Sequence, residues 1–477
     1  MRASELSGAS GETRPLGNGA VPTAGSGRAW RVGTLTYTFG GLAALFAWLL
    51  WGDFSLSVRD RALQGLVQLL FKKFGASDMF SGVLLASVPA ALGLIIGPVV
   101  GYKSDRLRTR WGRRIPYLII TTPFMVLALV GLAISPQLGR GLQHLLGPLS
   151  PDAASSVLLF LGFFWIVFEI AAIISGSVFG ALLNDVVPQE VIGRFFGFFR
   201  AVSLIVGIFF FYNLMGQVET HFSEILVSVA VIYGLGFTLM CLNVKEGNYP
   251  PTPEVSKGPP SALSSVKNYF KDGFGQPFYL WLFASGILWN MANAPFGIYC
   301  LYYAKSVSMN LTTYGKCIAL TYCFSLVLSY PIGWLADRFH PLRLSLLFVT
   351  LYGVTMATGY LLVHDARTFE FALIANTLIL GCINTSSASI GQRLLPRDKF
   401  AEIGSAGGVL NSLVGIFLAP SIGFILDHEN HNYRDTFLMG FILTALALAV
   451  LIVLYVKFLA LGGPKNYVPP ETALAPV

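Results

Sequence analysis

Gly101-Tyr-Lys-Ser-Asp105-Arg106-Leu-Arg-Thr-Arg110-Trp-Gly112-Arg113-Arg114 joins one long apolar run to the next. A reduced copy, Gly333-Trp-Leu-Ala-Asp337-Arg338-Phe-His-Pro-Leu-Arg343, does the same in the second half of the chain. A basic hairpin that recurs between apolar segments makes the repeating unit about half the chain and builds it from membrane helices. Glycine permits close helix approach, the aspartate at a helix end can pair with arginine or with backbone donors of a neighbouring helix, and the flanking arginines can hold lipid phosphate or carboxylate. Gly101, Asp105, Arg106, Arg110, Gly112, Arg113, Arg114, Gly333, Asp337, Arg338 and Arg343 are therefore read as gating latches, together with Asp185 and Arg194 at neighbouring loop ends. The competing reading is a solvated basic loop that only sets topology.

Composition supports a membrane chain. Of 477 residues 54% are hydrophobic and only 12% charged, with a mean hydropathy of +0.66, too apolar for a soluble protein of this length. The net charge of +8 is concentrated in short loops, which argues for a cytoplasmic face and against nucleic acid. Runs of about 20 apolar residues predict twelve helices, near 36–71, 79–103, 115–136, 154–184, 194–216, 222–243, 277–304, 312–336, 342–363, 369–391, 402–426 and 435–460. The expected organisation is a disordered tail (1–34), a six-helix bundle (35–243), a cytoplasmic linker (244–276) with an amphipathic end from Leu263 to Phe274, a second six-helix bundle (277–460) and a short tail (461–477). Lysine and arginine on the loops sharing a side with both termini far outnumber Lys72, Lys73, Arg140, Lys305, Arg367 and Arg434 opposite, so both termini are expected in the cytoplasm. The five cysteines lie in apolar segments at irregular spacing, indicating neither a metal site nor a disulfide framework. No cofactor is expected, and no nucleophile, metal set or nucleotide loop points to an enzyme.

The loop from Ile96 through Asp105 to Pro116-Tyr117 resembles those of the major facilitator superfamily, over essentially residues 35–460. More narrowly it is similar to the plant sucrose carriers and the bacterial glycoside-pentoside-hexuronide cation symporters. Trp51-Gly-Asp53-Phe54 is similar to the Gly-x-Asp-Phe of the bacterial symporters, and Phe164-Trp-Ile-Val-Phe-Glu169 with Gly180-Ala-Leu-Leu-Asn-Asp185 to the fourth helix of sucrose carriers. The resemblance implies an all-α membrane protein with twelve helices in two pseudo-symmetric bundles, in the cytoplasmic membrane, surrounded by lipid and acting as a monomer. Two departures matter. The sucrose carriers have an arginine where this chain has Gly180, and the bacterial symporters have paired aspartates on helix 2, where this chain has only Asp78 at the lip. The missing pair argues against a melibiose-type sodium site.

Ionisable groups inside the membrane are the functional candidates. Glu169 falls roughly 22 Å along helix 4 at 1.5 Å per residue, among Phe163, Phe164, Trp165, Val167, Phe168 and Ile170. Apolar surroundings disfavour a charged carboxyl, which suits a proton carrier; the alternative is a structural carboxylate paired with arginine. Asp53 is the second proton-coupling candidate, expected to line the cavity, or else to pack helices, with Arg59-Asp60-Arg61 emerging at the outer lip. Arg200 is a further substrate-binding candidate, either replacing the arginine absent at 180 or else snorkelling to the interface. Sugar recognition needs planar amides and aromatic platforms, which gives Trp48, Trp51, Asn290, Asn293, Asn376 and Asn384 as binding candidates. The expected activity is symport of a sugar or glycoside with a cation, a proton, by alternating access. An exporter of amphipathic molecules and a non-transporting assembly or pigment-delivery factor are the alternatives.

Overall fold

The computed structural model describes residues 30–147, 151–188, 190–247, 275–396 and 400–470. Most of the expected N-terminal tail, the linker with its amphipathic end and the final residues lie outside them. Apolar runs punctuated by prolines and polar caps give twelve long helices among the described residues. In the first half these are α1 (Phe39–Lys73), α2 (Asp78–Arg106), α3 (Ile115–Leu146), α4 (Ala153–Val186), α5 (Ile192–Asn213) and α6 (Phe222–Asn243). The second half has α7 (Pro277–Ser306), α8 (Leu311–Phe339), α9 (Pro341–Leu362), α10 (Ala366–Ser387), α11 (Phe400–His428) and α12 (Asp435–Ala460). Eleven are long and apolar enough to cross a membrane; α7, carrying two tryptophans, two asparagines and four tyrosines, is the twelfth.

Chain ends are set by local chemistry. Pro116, Pro277 and Pro341 stand in the first turn, where a missing N–H costs nothing. Ser77, Asp152, Asn310 and Asp365 accept from backbone N–H groups at the starts of α2, α4, α8 and α10. Hydrogen bonding to Thr368 holds the exposed Asp365 carboxyl below the usual range. The expected tail gains structure at its end: Trp30–Val32 and Leu35–Tyr37 pair as an antiparallel hairpin (β1, β2). Gly33 at φ +54 supplies the turn.

Helix α1 packs on α5 and α6, α3 on α4 and α6, and α2 on α4; α12 packs on α7 and α9, and α10 on α8 and α9. The two groups meet along α2–α11 and α5–α8. At the Asp78 end, α2 and α11 touch through glycine: a Cβ on Gly82 would lie 2.7 Å from the Ala419 carbonyl oxygen, and one on Gly423 2.5 Å from that of Asp78. A π-helical turn, Val83–Ser87, follows at this crossing. Trp165 satisfies its Leu84 carbonyl at 2.7 Å, and Ser87 donates to Ile416 across the seam at 2.5 Å. Toward the basic hairpins the contact is lost. Gly93, Gly97, Gly101 and Gly333 face open space, so Gly101 and Gly333 do not mediate close helix approach in this conformation, contrary to expectation. The halves form a V, shut at the Asp78 end and open at the basic end.

Candidate functional site

A cavity of about 560 Å³ occupies the centre of the V, between α1 and α5 on one side and α7, α8 and α10 on the other. Arg61, Gln68, Arg200 and Ser203 supply its polar groups from the first half; Asn293, Tyr314, Tyr322, Ser325, Asn376, Thr377 and Asn384 supply them from the second. Arg61 Nη1 donates to Tyr322 Oη at 2.9 Å and Nη2 to Ser203 Oγ at 3.0 Å, while Arg200 Nη2 donates to Thr385 Oγ1 at 2.8 Å. Asn293 Oδ1 accepts from Tyr352 Oη at 3.2 Å. Asn376 is buried, its Nδ2 lies 3.5 Å from Met356 Sδ, and its Oδ1 has no partner.

Of the expected binding residues, Arg200, Asn293, Asn376 and Asn384 line this cavity. Three do not. Asn290 is exposed, donates to Gly286 O at 2.9 Å and borders a separate small hollow against α2 and α11. Trp51 is stacked on Phe54 at 5.4 Å, and Trp48 is half-buried against the core. Trp51 sets its indole nitrogen against Gly236 of α6, and neither tryptophan lines the cavity. Arg61 was expected at the outer lip, yet α1 runs unbroken to Lys73 and buries Leu63, Leu66, Val67, Leu69, Leu70 and Phe71. Residues 62–73 therefore continue α1 as a buried helix, and Arg61 lines the central cavity.

Asp53, too, departs from expectation: it is 2% exposed, outside the cavity lining, with Oδ2 unpartnered. Nearby Arg59 is also buried. Its guanidinium lies 5.7 Å from the Phe168 ring and 5.3 Å from that of Tyr233, and pairs with Asp60 at 2.7 Å, leaving Nη1 without a partner. Glu169 on α4 is half-buried and within electrostatic reach of Arg59 and Asp60. The first half thus holds Asp53 and Arg59 buried, Glu169 half-buried and Asp60 exposed, with two buried polar atoms, Asp53 Oδ2 and Arg59 Nη1, unmatched.

The closed end is locked by residues that sequence reasoning missed. Asp78 is fully buried; its carboxylate accepts from Lys72 Nζ at 2.9 Å and Tyr433 Oη at 2.9 Å and meets His431 Nδ1 at 2.7 Å. The backbone N–H groups of Asp78 and Met79 donate to Asp427, both at 2.9 Å, and Tyr299 donates to the Asp78 carbonyl at 3.0 Å. Burial, and then the Asp78 carboxylate, push the Tyr433 phenol well up, so it acts as a donor. Asp78, Asp427 and His431 offer ligand atoms within 4.8 Å of one another. Lys72 and Tyr433 already match the Asp78 charge, however, so the arrangement is a hydrogen-bonded lock between halves. Lys305 pairs with Glu219 across the same seam. The available signal was Asp78 standing at a span's edge opposite the polar stretch Asp427 to Tyr433.

At the open end each latch closes on its own half. Asp185 receives Arg113 through two bonds, 3.0 and 2.6 Å, and Arg114 at 3.2 Å. Arg114 is nearly buried, donates to Ser104 at 2.5 Å and pairs with Asp105. Glu246, placed in the linker by sequence, accepts the backbone N–H groups of Arg113, Arg114 and Ile115 at 3.0, 2.8 and 2.8 Å and so caps α3. Gly112 turns the hairpin at φ +104. Arg106 and Arg110 lie over Tyr102 and Trp111, and Arg194 is exposed. In the second copy Asp337 meets Arg393 at 2.5 Å, Arg338 lies over Trp334, and Arg343 donates to Tyr455 at 2.7 Å.

Residues 70–395 match the protein family described as MFS/sugar transport protein. Among solved structures, a bacterial homologue of the human lysosomal transporter Spinster, inward-facing and unoccupied, superposes with a TM-score of 0.63 at 13% identity, covering 90% of this chain and 98% of that one. A bacterial homologue of the iron transporter ferroportin, inward-facing, gives 0.58 at 16%, with 87% and 99% covered. The nucleoside transporter NupG gives 0.60 at 10%, with 86% and 100% covered. At these identities the likeness concerns the fold: two six-helix halves around a central cavity.

Proposed function

The chain belongs to the MFS/sugar transport family, and from that premise we propose that it is a proton-coupled symporter of a sugar or glycoside, working by alternating access in the cytoplasmic membrane. The basic hairpins face the cytoplasm by the charge rule, which makes the V an inward-facing state with the Asp78 lock closing the outside. The observation that carries the reading is the central cavity, where Asn293, Asn376, Thr377 and Asn384 offer paired donors and acceptors for hydroxyls. Coupling is assigned to Glu169, which shares its wall with Arg59 and Asp60, and to Asp53, whose buried Oδ2 lacks a partner. A buried carboxyl that gains and loses a proton as the halves rock links ion to solute. The latch residues from Gly101 to Arg114 and from Gly333 to Arg343, with Asp185 and Arg194, then govern closure of the inner end.

Glu169→Gln tests the coupling. It should abolish accumulation against a gradient in proteoliposomes while exchange of labelled solute continues. Concentrative uptake by the variant removes Glu169 from the mechanism. One observation favours a second reading, export of amphipathic molecules: a lipid-facing apolar groove of about 660 Å³ between α1, α5 and α6, lined by Phe54, Val58, Phe209 and Phe210 with Gln217 and Glu224 also on its wall. Binding of a lipophilic cation without any sugar binding would decide for it.

A further inference from the structure

At the closed end one imidazole stands between two carboxylates. His431 Nδ1 lies 2.7 Å from Asp78 across the seam and 3.6 Å from Asp427 of its own half. Asn430 and His431 take left-handed backbone in succession, at φ +52 and +59, a conformation that residues other than glycine adopt rarely. The turn sets the ring over the seam with 49% of its side chain exposed, so it touches both the fully buried Asp78 carboxylate and solvent. Charge around the ring is uneven. Asp78 and Asp427 each bring a negative charge, and Lys72, bonded to Asp78 and lying over the Tyr302 and Tyr433 rings, brings one positive charge. Tyr299 and Tyr302 of α7 and Tyr433 of the turn are neutral donors. The remaining charged groups nearby are engaged elsewhere or face solvent: His428 bonds to the Phe424 carbonyl, Glu429 is exposed, Arg434 donates to the carbonyls of Tyr360 and Leu361, Asp435 accepts from Asn432, and Lys73 and Lys305 both go to Glu219. A protonated His431 brings the group of Asp78, Asp427, Lys72 and His431 to neutrality.

We propose that His431 is a second proton site, separate from Glu169 and Asp53, through which acid on the Asp78 side holds that end shut. Opening carries Asp78 away with one half and His431 with the other, so an imidazolium has two carboxylates when the end is closed and only Asp427 when it is open. The proton is therefore held more tightly in the closed state, and by linkage a fall in pH on that side draws the equilibrium toward closure. An imidazole ordinarily exchanges its proton between about pH 5 and 8. Neutral His431 can still donate from Nδ1, but a charge-assisted bond exceeds a neutral one by enough to shift the equilibrium about 2- to 30-fold. The inference needs only that the Asp78 end opens and shuts, and is independent of the solute and of the coupling carboxyls. In a proton-driven importer the effect is a brake, slowing the return of the empty carrier to the outside as the medium acidifies.

The experiment labels Cys300, which lines the central cavity, with an impermeant maleimide in sealed vesicles that present the Asp78 face outward, the other four cysteines being replaced. Outside pH is stepped from about 8 to about 5 at constant inside pH. Each wild-type rate is divided by that of His431→Asn at the same pH, which cancels the titration of the thiol and of the coupling carboxyls. Asparagine keeps an uncharged donor and tolerates left-handed backbone. The ratio should fall about 2- to 30-fold toward acid. Division by His431→Arg, charged at every pH, should give the same fall, so the result does not depend on one variant folding. Stepping the inside pH instead should leave both ratios unchanged. Ratios that stay constant as the outside pH falls overturn the proton site, as do ratios that follow the inside pH.

Discussion

Asp78→Asn should release the closed end of the V without unfolding either half. The carboxylate is fully buried and takes two contacts from the opposite half, Tyr433 and His431, beside Lys72 from its own. Asparagine retains an acceptor for Tyr433 but removes the charge that strengthens all three. A charge-assisted hydrogen bond contributes about 1.5–3 kcal/mol and a neutral one about 1, so the two cross-seam contacts together lose about 2–3 kcal/mol. With that end open the side chain meets water in either variant, so the loss falls on the closed state. The equilibrium should shift about 30- to 150-fold toward opening at the Asp78 end, at 1.36 kcal/mol per tenfold. Cys300 lines the central cavity and reports the shift. With the other four cysteines replaced, an impermeant maleimide added on the Asp78 side should label Cys300 faster by about that factor in Asp78→Asn. An unchanged rate in a monodisperse variant would refute the lock.

Three further outcomes follow from the open end. Glu246→Ala leaves three backbone N–H groups at the start of α3 without their acceptor, and should lower stability in detergent by about 2 kcal/mol or more, measured by thermal unfolding. Asp185→Asn removes the charge shared by Arg113 and Arg114, which both keep Asp105, and should cost about 2–3 kcal/mol. Asp337→Asn breaks a pair whose members are 35% and 74% exposed and should cost no more than about 1; equal melting shifts would contradict this ranking. His340, between α8 and α9, is 8% exposed, and burial, then Arg393 and Arg343, push its pKa down to about 4. The neutral ring is favoured on folding, so its stabilisation is complete above pH about 6.5 and is lost as pH falls through 4, by up to about 3 kcal/mol. His340→Asn should flatten that part of the stability–pH curve.

The spans were legible because each needs only a long apolar run, and the repeat of the Asp105 and Asp337 hairpins disclosed the two related halves. Within the site, legibility followed side-chain type and failed on direction. Asn293, Asn376 and Asn384 were found as amides, whereas the amide of Asn290 and the aromatic platforms Trp48 and Trp51 lie elsewhere, which only the packing of α1 and α7 decides. Arg61 was misplaced because Arg59-Asp60-Arg61 looks like the end of a span; burial of Leu63 through Phe71 shows the helix continuing. Asp78, Asp427, His431 and Tyr433 are far apart in the chain, and only the docking of α11 on α2 makes them one cluster. Glu246 carries no motif, and its role comes from where α6 ends beside the start of α3.

The account stands most directly on wild-type protein in proteoliposomes free of sodium, with an inward proton gradient imposed and a panel of labelled hexosides offered outside. Proton-coupled symport predicts accumulation above the external concentration, collapsing when a protonophore dissipates the gradient. Accumulation that follows an imposed sodium gradient and ignores pH would contradict it, as would the absence of any gradient-driven uptake across the sugar panel.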